Sequence, residues 1–143
     1  MSKRKSYCVI CFANFCRSPV LEAFLKEKYG EEYEFYSAGL SPMDQPNMDP
    51  RSVKYLEGKG IKNIIHNPKR ISKKMLNYFD FFIAVDLLIL NELNLKFPKY
   101  KHKFFLASSH LNKINLTDPY HMNDSDYESI MDNIKITSDT IKL

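Results

Sequence analysis

Cysteine is scarce in this chain and is confined to one place. The 143 residues contain three cysteines, Cys8, Cys11 and Cys16, and none follows Cys16. Cysteines this close together cannot link distant parts of a fold, which excludes a small secreted scaffold held by disulfides. The clustering indicates thiol chemistry in a reducing compartment instead, and it predicts a cytoplasmic location.

Long apolar runs, internal repeats and low-complexity tracts are also absent from the sequence. No apolar stretch approaches the length of a membrane span, and 44% hydrophobic with 27% charged residues is usual for a soluble globular protein. The lysines occur throughout the chain, so we interpret the net charge of +4 as a solvated, mildly basic surface. We therefore expect one domain, residues 1–143, that is a monomer and has no nucleic-acid or membrane partner.

Hydrophobic runs alternate with helical periodicity along the chain, and this alternation predicts an α/β fold with a parallel sheet. We expect a three-layer sandwich, in which helices cover both faces of a central four-stranded parallel sheet. The expected strands are 6–12, 33–37, 81–86 and 103–107, and the expected helices are 18–29, 50–59, 73–79, 87–96 and 125–141. Two irregular loops, 37–50 and 115–125, are candidates for the rim of a site at the carboxyl edge of the sheet.

The segment Cys11-Phe-Ala-Asn-Phe-Cys-Arg-Ser-Pro lies between the first predicted strand and the first predicted helix. Backbone N–H groups of such a loop, together with the helix N-terminus, suit a phosphate or another tetrahedral oxyanion. Arg17 adds a planar donor for two oxygens of that anion. Cys11 is the candidate nucleophile, because positive surroundings favour its thiolate. The alternative for Cys11 is a small buried hydrophobic residue.

Attack on phosphorus also needs a proton for the departing oxygen, from an acid on the far side of the phosphorus. Asp118 is the candidate acid. Pro119 stiffens its loop, and Tyr120 and His121 follow as ring-bearing side chains that can wall a slot for an aromatic leaving group. The alternative is that Asp118 and Pro119 start an ordinary turn.

Residues 11–19 resemble the signature loop of the low-molecular-weight protein tyrosine phosphatases, and residues 118–128 resemble their general-acid loop. Segments 36–39, 66–71 and 79–86 are similar to family segments in the same order, so the resemblance spans nearly the whole chain. It implies that Cys11 attacks phosphorus and that Arg17 holds equatorial oxygens. It also implies that Asp118 first protonates the leaving phenol and then assists water, with no metal and no cofactor.

The resemblance assigns the other phosphate-loop positions, which are Phe12, Ala13, Asn14, Phe15, Cys16 and Ser18. Ser18 would donate a hydrogen bond to the nucleophilic sulfur, and Asn14 would hold the loop in the left-handed conformation that asparagine tolerates. Ser37 and His66 would brace the loop from behind, with Glu22 as the partner of His66. Considered alone, His66 is a partly exposed loop histidine.

The resemblance also places a substrate slot and a redox pair. The slot residues are Phe15, Asp44, Tyr120 and His121. Phe15 would add aromatic surface at the entrance, or else would pack against the core. Cys16 would form a reversible disulfide with Cys11 that shields the nucleophile from over-oxidation, or else would simply pack the loop.

Four positions depart from the family pattern, and one of them is Phe15, which replaces a more usual aliphatic residue. Ala13 stands where glycine is usual, so the loop either avoids a positive φ there or accepts mild strain. His121 stands where a second tyrosine is common, and Met122 where glycine is common. Because of these two positions, the sequence does not settle how the slot wall is formed or how flexible the acid loop is.

The predicted function is hydrolysis of phosphotyrosine in proteins and of small aryl phosphates, with inorganic phosphate as the product. An arsenate reductase is one alternative, but its disulfide relay needs downstream cysteines and none follows Cys16. A protein-arginine phosphatase is another, although its relatives tend to carry threonine at the position of Phe15. A module that binds phosphotyrosine without turnover is the third, and Ala13 and His121 are the hints in its favour.

Overall fold

The computed structural model describes residues 3–108 and 114–143. Within them the chain forms four parallel strands, β1 Ser6–Cys11, β2 Glu34–Gly39, β3 Phe81–Ala84 and β4 Phe104–Leu106. The helices are α1 Ser18–Tyr29, α2 Pro50–Gly58, α3 Lys73–Tyr78, α4 Leu87–Lys96 and α5 Asp124–Thr140, with a 3-10 helix at Pro98–Lys103. None of the helices described is long and apolar enough to cross a membrane.

The strands lie in the order β2-β1-β3-β4, so β1 has a neighbour on each side. The chain leaves β1 toward β2 on one side and later continues from β3 to β4 on the other. Because crossovers between parallel strands are right-handed, this reversal places α1 and α4 on opposite faces of the sheet. The predicted three-layer α/β sandwich is confirmed.

The core is centred on β1, all six residues of which are buried. A strand covered by helices on both faces has an almost continuous apolar sequence, which is what residues 7–11 show. Helix α5 packs on α1 and α2, and its buried side chains include Tyr127, Met131 and Ile134. Full burial of a side chain such as Met131 or Ile134 contributes about 1.5–3 kcal/mol to the free energy of unfolding.

Element boundaries differ from the prediction by a few residues. β1 ends at Cys11 and not at 12, since Phe12 is half exposed. β2 continues to Gly39, because Ala38 and Gly39 pair with the last two residues of β1. The sequence pattern does not predict the 3-10 helix at Pro98–Lys103, where a proline and lysines give no apolar periodicity.

The strand register aligns the carboxyl ends of β2, β1 and β3 at one edge of the sheet. Cys11 pairs with Gly39 of β2, and Ile10 pairs with Ala84 of β3. In open α/β sheets, ligands bind outside this edge, at the point where the strand order reverses. That point is the end of β1, at Cys11.

Candidate active site

A cavity of about 340 Å³ opens at the carboxyl end of β1, where the chain turns into α1. The three residues predicted to do chemistry, Cys11, Arg17 and Asp118, all line it. The other lining residues are Phe12, Ala13, Phe15, Cys16, Ser41, Pro42, Met43, Tyr120 and His121. The fold therefore brings together three segments that are far apart in the sequence.

The sulfur of Cys11 has two neighbours that can donate hydrogen bonds to it. The backbone N–H of Asn14 donates to Cys11 Sγ at 3.2 Å, and the hydroxyl oxygen of Ser18 lies 2.9 Å from the same sulfur. Ser18 Oγ accepts a hydrogen bond of 2.8 Å from Asn14 Nδ2, which leaves the hydroxyl proton available to the sulfur. Hydrogen bonds to the charged form favour it, and the thiolate is the nucleophilic form of cysteine.

Asn14 holds the loop in its curled shape through both ends of its amide group. It is fully buried and has a φ of 51°, the left-handed conformation that asparagine tolerates. Nδ2 also donates to Ser37 Oγ at 2.9 Å, and Oδ1 accepts from the N–H of Lys69 at 3.0 Å. The positive φ falls on Asn14 and not on Ala13, so the alanine in this loop avoids strain.

Further hydrogen bonds support Asn14 from behind. Ser37 Oγ donates to Glu22 Oε1 at 2.5 Å, and Glu22 forms an ion pair of 2.6 Å with Lys26. His66 Nε2 donates to the backbone oxygen of Asn14 at 2.8 Å, and burial lowers the pKa of His66. Glu22 therefore supports the loop through Ser37, because α1 packs on the strand that carries this serine. The predicted pairing of Glu22 with His66 stays a prediction, supported only by the charge of Glu22, which acts on the imidazole and opposes the lowering of its pKa.

Arg17 is buried, and its guanidinium already has partners. Its exposed fraction is 2%, and Nη1 donates to Asp86 Oδ2 at 2.6 Å and to the backbone oxygen of Leu116 at 2.8 Å. Asp86 is itself fixed, because its Oδ1 accepts from the N–H of Ile89 at 2.8 Å and caps α4. Arg17 is also the N-cap residue of α1, where a bound anion meets the positive end of the helix dipole.

Two residues that sequence reasoning does not single out complete this geometry. Asp86 follows β3 closely, at the same edge of the sheet as Cys11, and that position is its sequence signal. Gly39 is the other, since a Cβ there would lie 2.7 Å from the backbone oxygen of Phe12 and 2.8 Å from the nitrogen of Asn14. A glycine at the end of the strand beside β1 lets the phosphate loop approach this closely.

Asp118 reaches the cavity from the loop that precedes α5. Its side chain is exposed, and Oδ1 accepts a hydrogen bond of 3.1 Å from the N–H of Tyr120. Asp118 therefore forms a turn and lines the cavity at the same time. Because the turn engages Oδ1, Oδ2 is the oxygen available to exchange a proton with a bound molecule.

Aromatic rings form one wall of the cavity. Phe15 meets Tyr120 edge to face with ring centroids 6.1 Å apart, and Tyr120 meets His121 in the same way at 4.9 Å. Phe15 is only 3% exposed, so it packs into the core and also lines the cavity. A flat apolar ring fits well against such a wall.

A second wall comes from the residues just before Asp44. The N–H of Ser41 donates to the backbone oxygen of Phe12 at 2.8 Å, and that of Met43 donates to the oxygen of Ala13 at 3.0 Å. These bonds hold the chain against the phosphate loop as far as Met43, which lines the cavity. Asp44 follows as an exposed residue outside the wall, which corrects the prediction that it lines the slot.

The sequence profile described as low molecular weight phosphotyrosine protein phosphatase matches residues 6–141. This chain belongs to that family. The low molecular weight phosphotyrosine protein phosphatase of Sus scrofa is 31% identical in an alignment 137 positions long, which covers 88% of this chain and 86% of the relative. The low molecular weight protein-tyrosine-phosphatase Ptp of Acinetobacter johnsonii is 29% identical over 116 residues, which are 81% of this chain and 80% of the relative. The family that the sequence motifs predict is confirmed.

Solved structures share the fold of this family member at lower identity. The tyrosine phosphatase amsI of Erwinia amylovora matches with a TM-score of 0.86 at 22% identity, covering 96% of this chain and 91% of that one. The YwlE arginine phosphatase of Geobacillus stearothermophilus matches with a TM-score of 0.85 at 22% identity, covering 94% and 88%. Phosphatases described for two different amino acids share this fold, so the substrate class has to be argued from the site.

The two further cysteines of this phosphatase family member differ in their access to the site. Cys16 lines the cavity but is 5% exposed, and burial raises the pKa of its thiol to about 12. Cys8 is fully buried in β1, where burial raises its pKa well above the ordinary value. All three cysteines are free thiols. Of these two, Cys16 is the one that shares a cavity with Cys11.

Proposed function

We propose that this protein is a protein tyrosine phosphatase, which hydrolyses phosphate esters of phenols through a cysteinyl-phosphate intermediate. The proposal rests on one cavity that holds a hydrogen-bonded cysteine sulfur, a buried arginine and a carboxylic acid. Cys11, Arg17 and Asp118 supply the nucleophile, the oxyanion-binding group and the proton donor that this chemistry needs. Positioning and electrostatic stabilisation are the main sources of rate in phosphoryl transfer.

In the first step, the thiolate of Cys11 attacks phosphorus, and the bond between phosphorus and the phenol oxygen breaks. Arg17 and the N–H groups of the loop hold the equatorial oxygens and stabilise the charge that develops on them. Asp118 transfers a proton to the phenol oxygen as it leaves. The products of this step are a phenol and a phosphocysteine.

In the second step, water attacks the phosphorus of the phosphocysteine, and the bond between phosphorus and sulfur breaks. The carboxylate of Asp118 accepts a proton from the attacking water. The Ser18 hydroxyl, 2.9 Å from the Cys11 sulfur, stabilises the departing thiolate. Inorganic phosphate is released, and the groups of the chain are returned to their starting state.

The walls of the cavity support an aromatic phosphate ester as the substrate. Phe15 and Tyr120 form an aromatic wall, and Met43 lies in the second wall. A phenyl ring placed between these surfaces brings its phosphate to the loop that follows Cys11. We propose phosphotyrosine-containing proteins and small aryl phosphates as the substrates.

The proposed setting is the cytoplasm, where glutathione and thioredoxin keep a catalytic thiol reduced. Residues 1–143 would act as one domain and as a monomer. A reversible disulfide between Cys11 and Cys16 would protect the nucleophile during oxidation, and it is supported by the shared cavity.

The test compares hydrolysis of para-nitrophenyl phosphate and phenyl phosphate in EDTA by the native protein, Cys11→Ser and Asp118→Ala. Cys11→Ser should abolish turnover of both substrates. Asp118→Ala should lower kcat/KM more for phenyl phosphate than for para-nitrophenyl phosphate, because the poorer leaving group depends more on the proton. Asp44→Ala changes an exposed aspartate outside the cavity and should leave both rates unchanged.

Three results would contradict the proposal in different ways. Turnover that survives Cys11→Ser would exclude this nucleophile. No turnover by the reduced native protein, together with measurable binding of a phosphotyrosine peptide, would indicate a binding module. Faster phosphate release from a phosphoarginine peptide than from a phosphotyrosine peptide of the same sequence would indicate an arginine phosphatase.

A further inference from the structure

The side chain of Arg51 on α2 is hydrogen-bonded to the turn that carries Asp118. Nη1 donates to the backbone oxygen of Met122 at 2.9 Å, and Nη2 donates to the backbone oxygen of Tyr120 at 2.9 Å. Both carbonyl groups lie within four residues of Asp118, on the same exposed turn. One guanidinium therefore holds the turn of the proposed general acid at two points.

The same guanidinium is paired with Asp49. Nε donates to Asp49 Oδ1 at 3.1 Å and Nη2 donates to Oδ2 at 2.9 Å, in the two-pronged arrangement that arginine geometry favours. Arg51 also stacks on Tyr127, with the guanidinium carbon 4.0 Å from the ring centroid. Pairing and stacking fix the plane of the guanidinium, so its remaining donors are already oriented toward the turn.

Asp49 is connected in turn to the phosphate loop. Its N–H donates to the backbone oxygen of Phe15 at 2.9 Å, and its Oδ2 lies 3.8 Å from Cys16 Sγ. Ser52, on the first turn of α2, donates to the backbone oxygen of Cys16 at 2.9 Å. The start of α2 therefore contacts both the loop that would bind phosphate and the loop that would donate the proton.

Two other hydrogen bonds of this turn stay inside it. The N–H of Tyr120 donates to Asp118 Oδ1 at 3.1 Å, and that of Met122 donates to the oxygen of Pro119 at 2.9 Å. They shape the turn but do not set its distance from the phosphate loop. The bonds from Arg51 fix the chain that follows Asp118, as the bond from Arg17 to the Leu116 oxygen fixes the chain that precedes it. A general acid works only within hydrogen-bond reach of the leaving oxygen, and a misplacement of about 1 Å can cost about 100-fold in rate.

We propose that Arg51 is a positioning residue for Asp118, and that it holds the general-acid turn at a fixed distance from the sulfur of Cys11. The inference rests on the proposed phosphatase function. Arg51 is not among the residues that line the cavity, so it acts through the turn and not on the substrate. Lysine is a poor substitute, because one ammonium group cannot pair with a carboxylate and hold two carbonyl groups in the same plane.

The experiment measures Arg51→Gln and Arg51→Lys in the native protein and in the Asp118→Ala background. In the native protein each substitution should lower kcat/KM, which reports the step that releases the phenol, about 10- to 100-fold for phenyl phosphate and clearly less for para-nitrophenyl phosphate. In the Asp118→Ala background each should change kcat/KM by less than about twofold, because an acid that is absent cannot be misplaced. The inhibition constant of inorganic phosphate, which reports on the phosphate loop, should also change by less than about twofold.

Two further variants keep this test decisive. Lys54→Gln removes an exposed cation of the same helix and should leave kcat/KM for both substrates unchanged. Asp49→Asn keeps a side-chain oxygen for the cap of α2 but removes the charge that pairs with Arg51. Asp49→Asn should also lose more activity with phenyl phosphate than with para-nitrophenyl phosphate. It replaces the Arg51 variants if thermal melts show that the Arg51 variants do not fold.

Equal losses of kcat/KM with the two substrates would overturn the proposal. So would a loss in the Asp118→Ala background as large as the loss in the native protein, since Arg51 would then act on the phosphate loop or on the fold as a whole. Failure of the proposed function gives a different result, because the native protein would then show no Cys11-dependent turnover at all.

Discussion

Asp86 Oδ2 accepts a hydrogen bond of 2.6 Å from Nη1 of Arg17, so the cation of the phosphate loop is paired before a phosphate arrives. The Arg17 side chain is 3% exposed and the Asp86 side chain is 23% exposed, so water screens this pair only in part. Loss of the Asp86 charge would leave a buried cation that keeps its hydrogen bond to the Leu116 carbonyl. Asp86 therefore stabilises the buried charge of Arg17.

We expect Asp86→Asn to lower the free energy of unfolding in phosphate-free buffer by about 1–3 kcal/mol. Asparagine still accepts from the N–H of Ile89, so the cap of α4 is kept. Saturating inorganic phosphate should narrow the difference from the native protein, because it supplies the negative charge that the variant lacks. Urea unfolding with and without phosphate measures this, with Glu92→Gln on the exposed face of α4 as the control. A difference that phosphate does not change would contradict this role of Asp86.

Gly39→Ala should displace the phosphate loop. The added Cβ would lie 2.7 Å from the oxygen of Phe12 and 2.8 Å from the nitrogen of Asn14, and because both are backbone atoms the loop itself has to move. We expect the free energy of unfolding to fall by about 1–3 kcal/mol, and phosphate inhibition to weaken about tenfold. Gly58→Ala is the matched control, since an added Cβ there meets no atom within 4 Å, and alanine suits a helix better than glycine. Similar losses in the two variants would show that contact with the loop is not the cause.

His66 should make the stability of the protein depend on pH. Burial lowers its pKa in the folded state, so the unfolded chain binds a proton at this histidine before the folded protein does. The contribution of neutral His66 to the free energy of unfolding is present in full above about pH 6.5, the ordinary histidine pKa. It is lost as the pH falls from there toward the lowered pKa of the folded state. His66→Gln keeps a neutral donor for the Asn14 carbonyl but does not titrate.

We therefore expect the fall in Tm between about pH 7 and pH 5 to be smaller in His66→Gln than in the native protein. His102→Gln, which replaces an exposed histidine of the 3-10 helix, should keep the native fall. Thermal melts at several pH values measure both variants. The same pH dependence in His66→Gln and the native protein would exclude His66 as its source.

The residues around Cys11 can be predicted because their signals are local. Strand, loop and helix follow one another within a few positions, and the preference of Asn14 for a left-handed backbone is a property of its own side chain. Asp86 is different, because it meets Arg17 across 69 residues. Its role depends on which strand ends meet at one edge of the sheet, and the strand order is not written in any local pattern.

Which residues the predicted supporting and slot side chains contact depends on the strand register and on the path of the loops. Glu22 lies in the predicted supporting set, and it accepts a hydrogen bond from Ser37, because β2 pairs beside β1 and carries that serine against α1. The prediction that Asp44 lines the slot is wrong for a similar reason. The hydrogen bond to the Ala13 oxygen comes from Met43, one residue before Asp44, and a loop without periodicity gives no signal for which residue makes that bond.

Oxidation should distinguish the two roles open to Cys16, which are protection of Cys11 and packing of the loop. Mild peroxide should oxidise Cys11 to a sulfenic acid. Attack by the thiolate of Cys16 on that sulfur should then form the disulfide and expel hydroxide, which takes up a proton from solvent to become water. Burial raises the pKa of Cys16 to about 12, so little of it is thiolate near neutral pH and the closure should be slow there. A slow closure leaves Cys11 exposed to further, irreversible oxidation.

We expect the activity of peroxide-treated native protein to return with dithiothreitol, and the recovered fraction to rise between about pH 6 and pH 8 as the thiolate of Cys16 becomes more abundant. Cys16→Ala should lose activity irreversibly at each pH, because the sulfenic acid of Cys11 then has no partner thiol and is oxidised further to the sulfinic acid. Cys8→Ala should recover like the native protein, since Cys8 is fully buried within β1 and does not line the cavity. Equal recovery in Cys16→Ala and the native protein would show that the thiol beside the nucleophile only packs the loop.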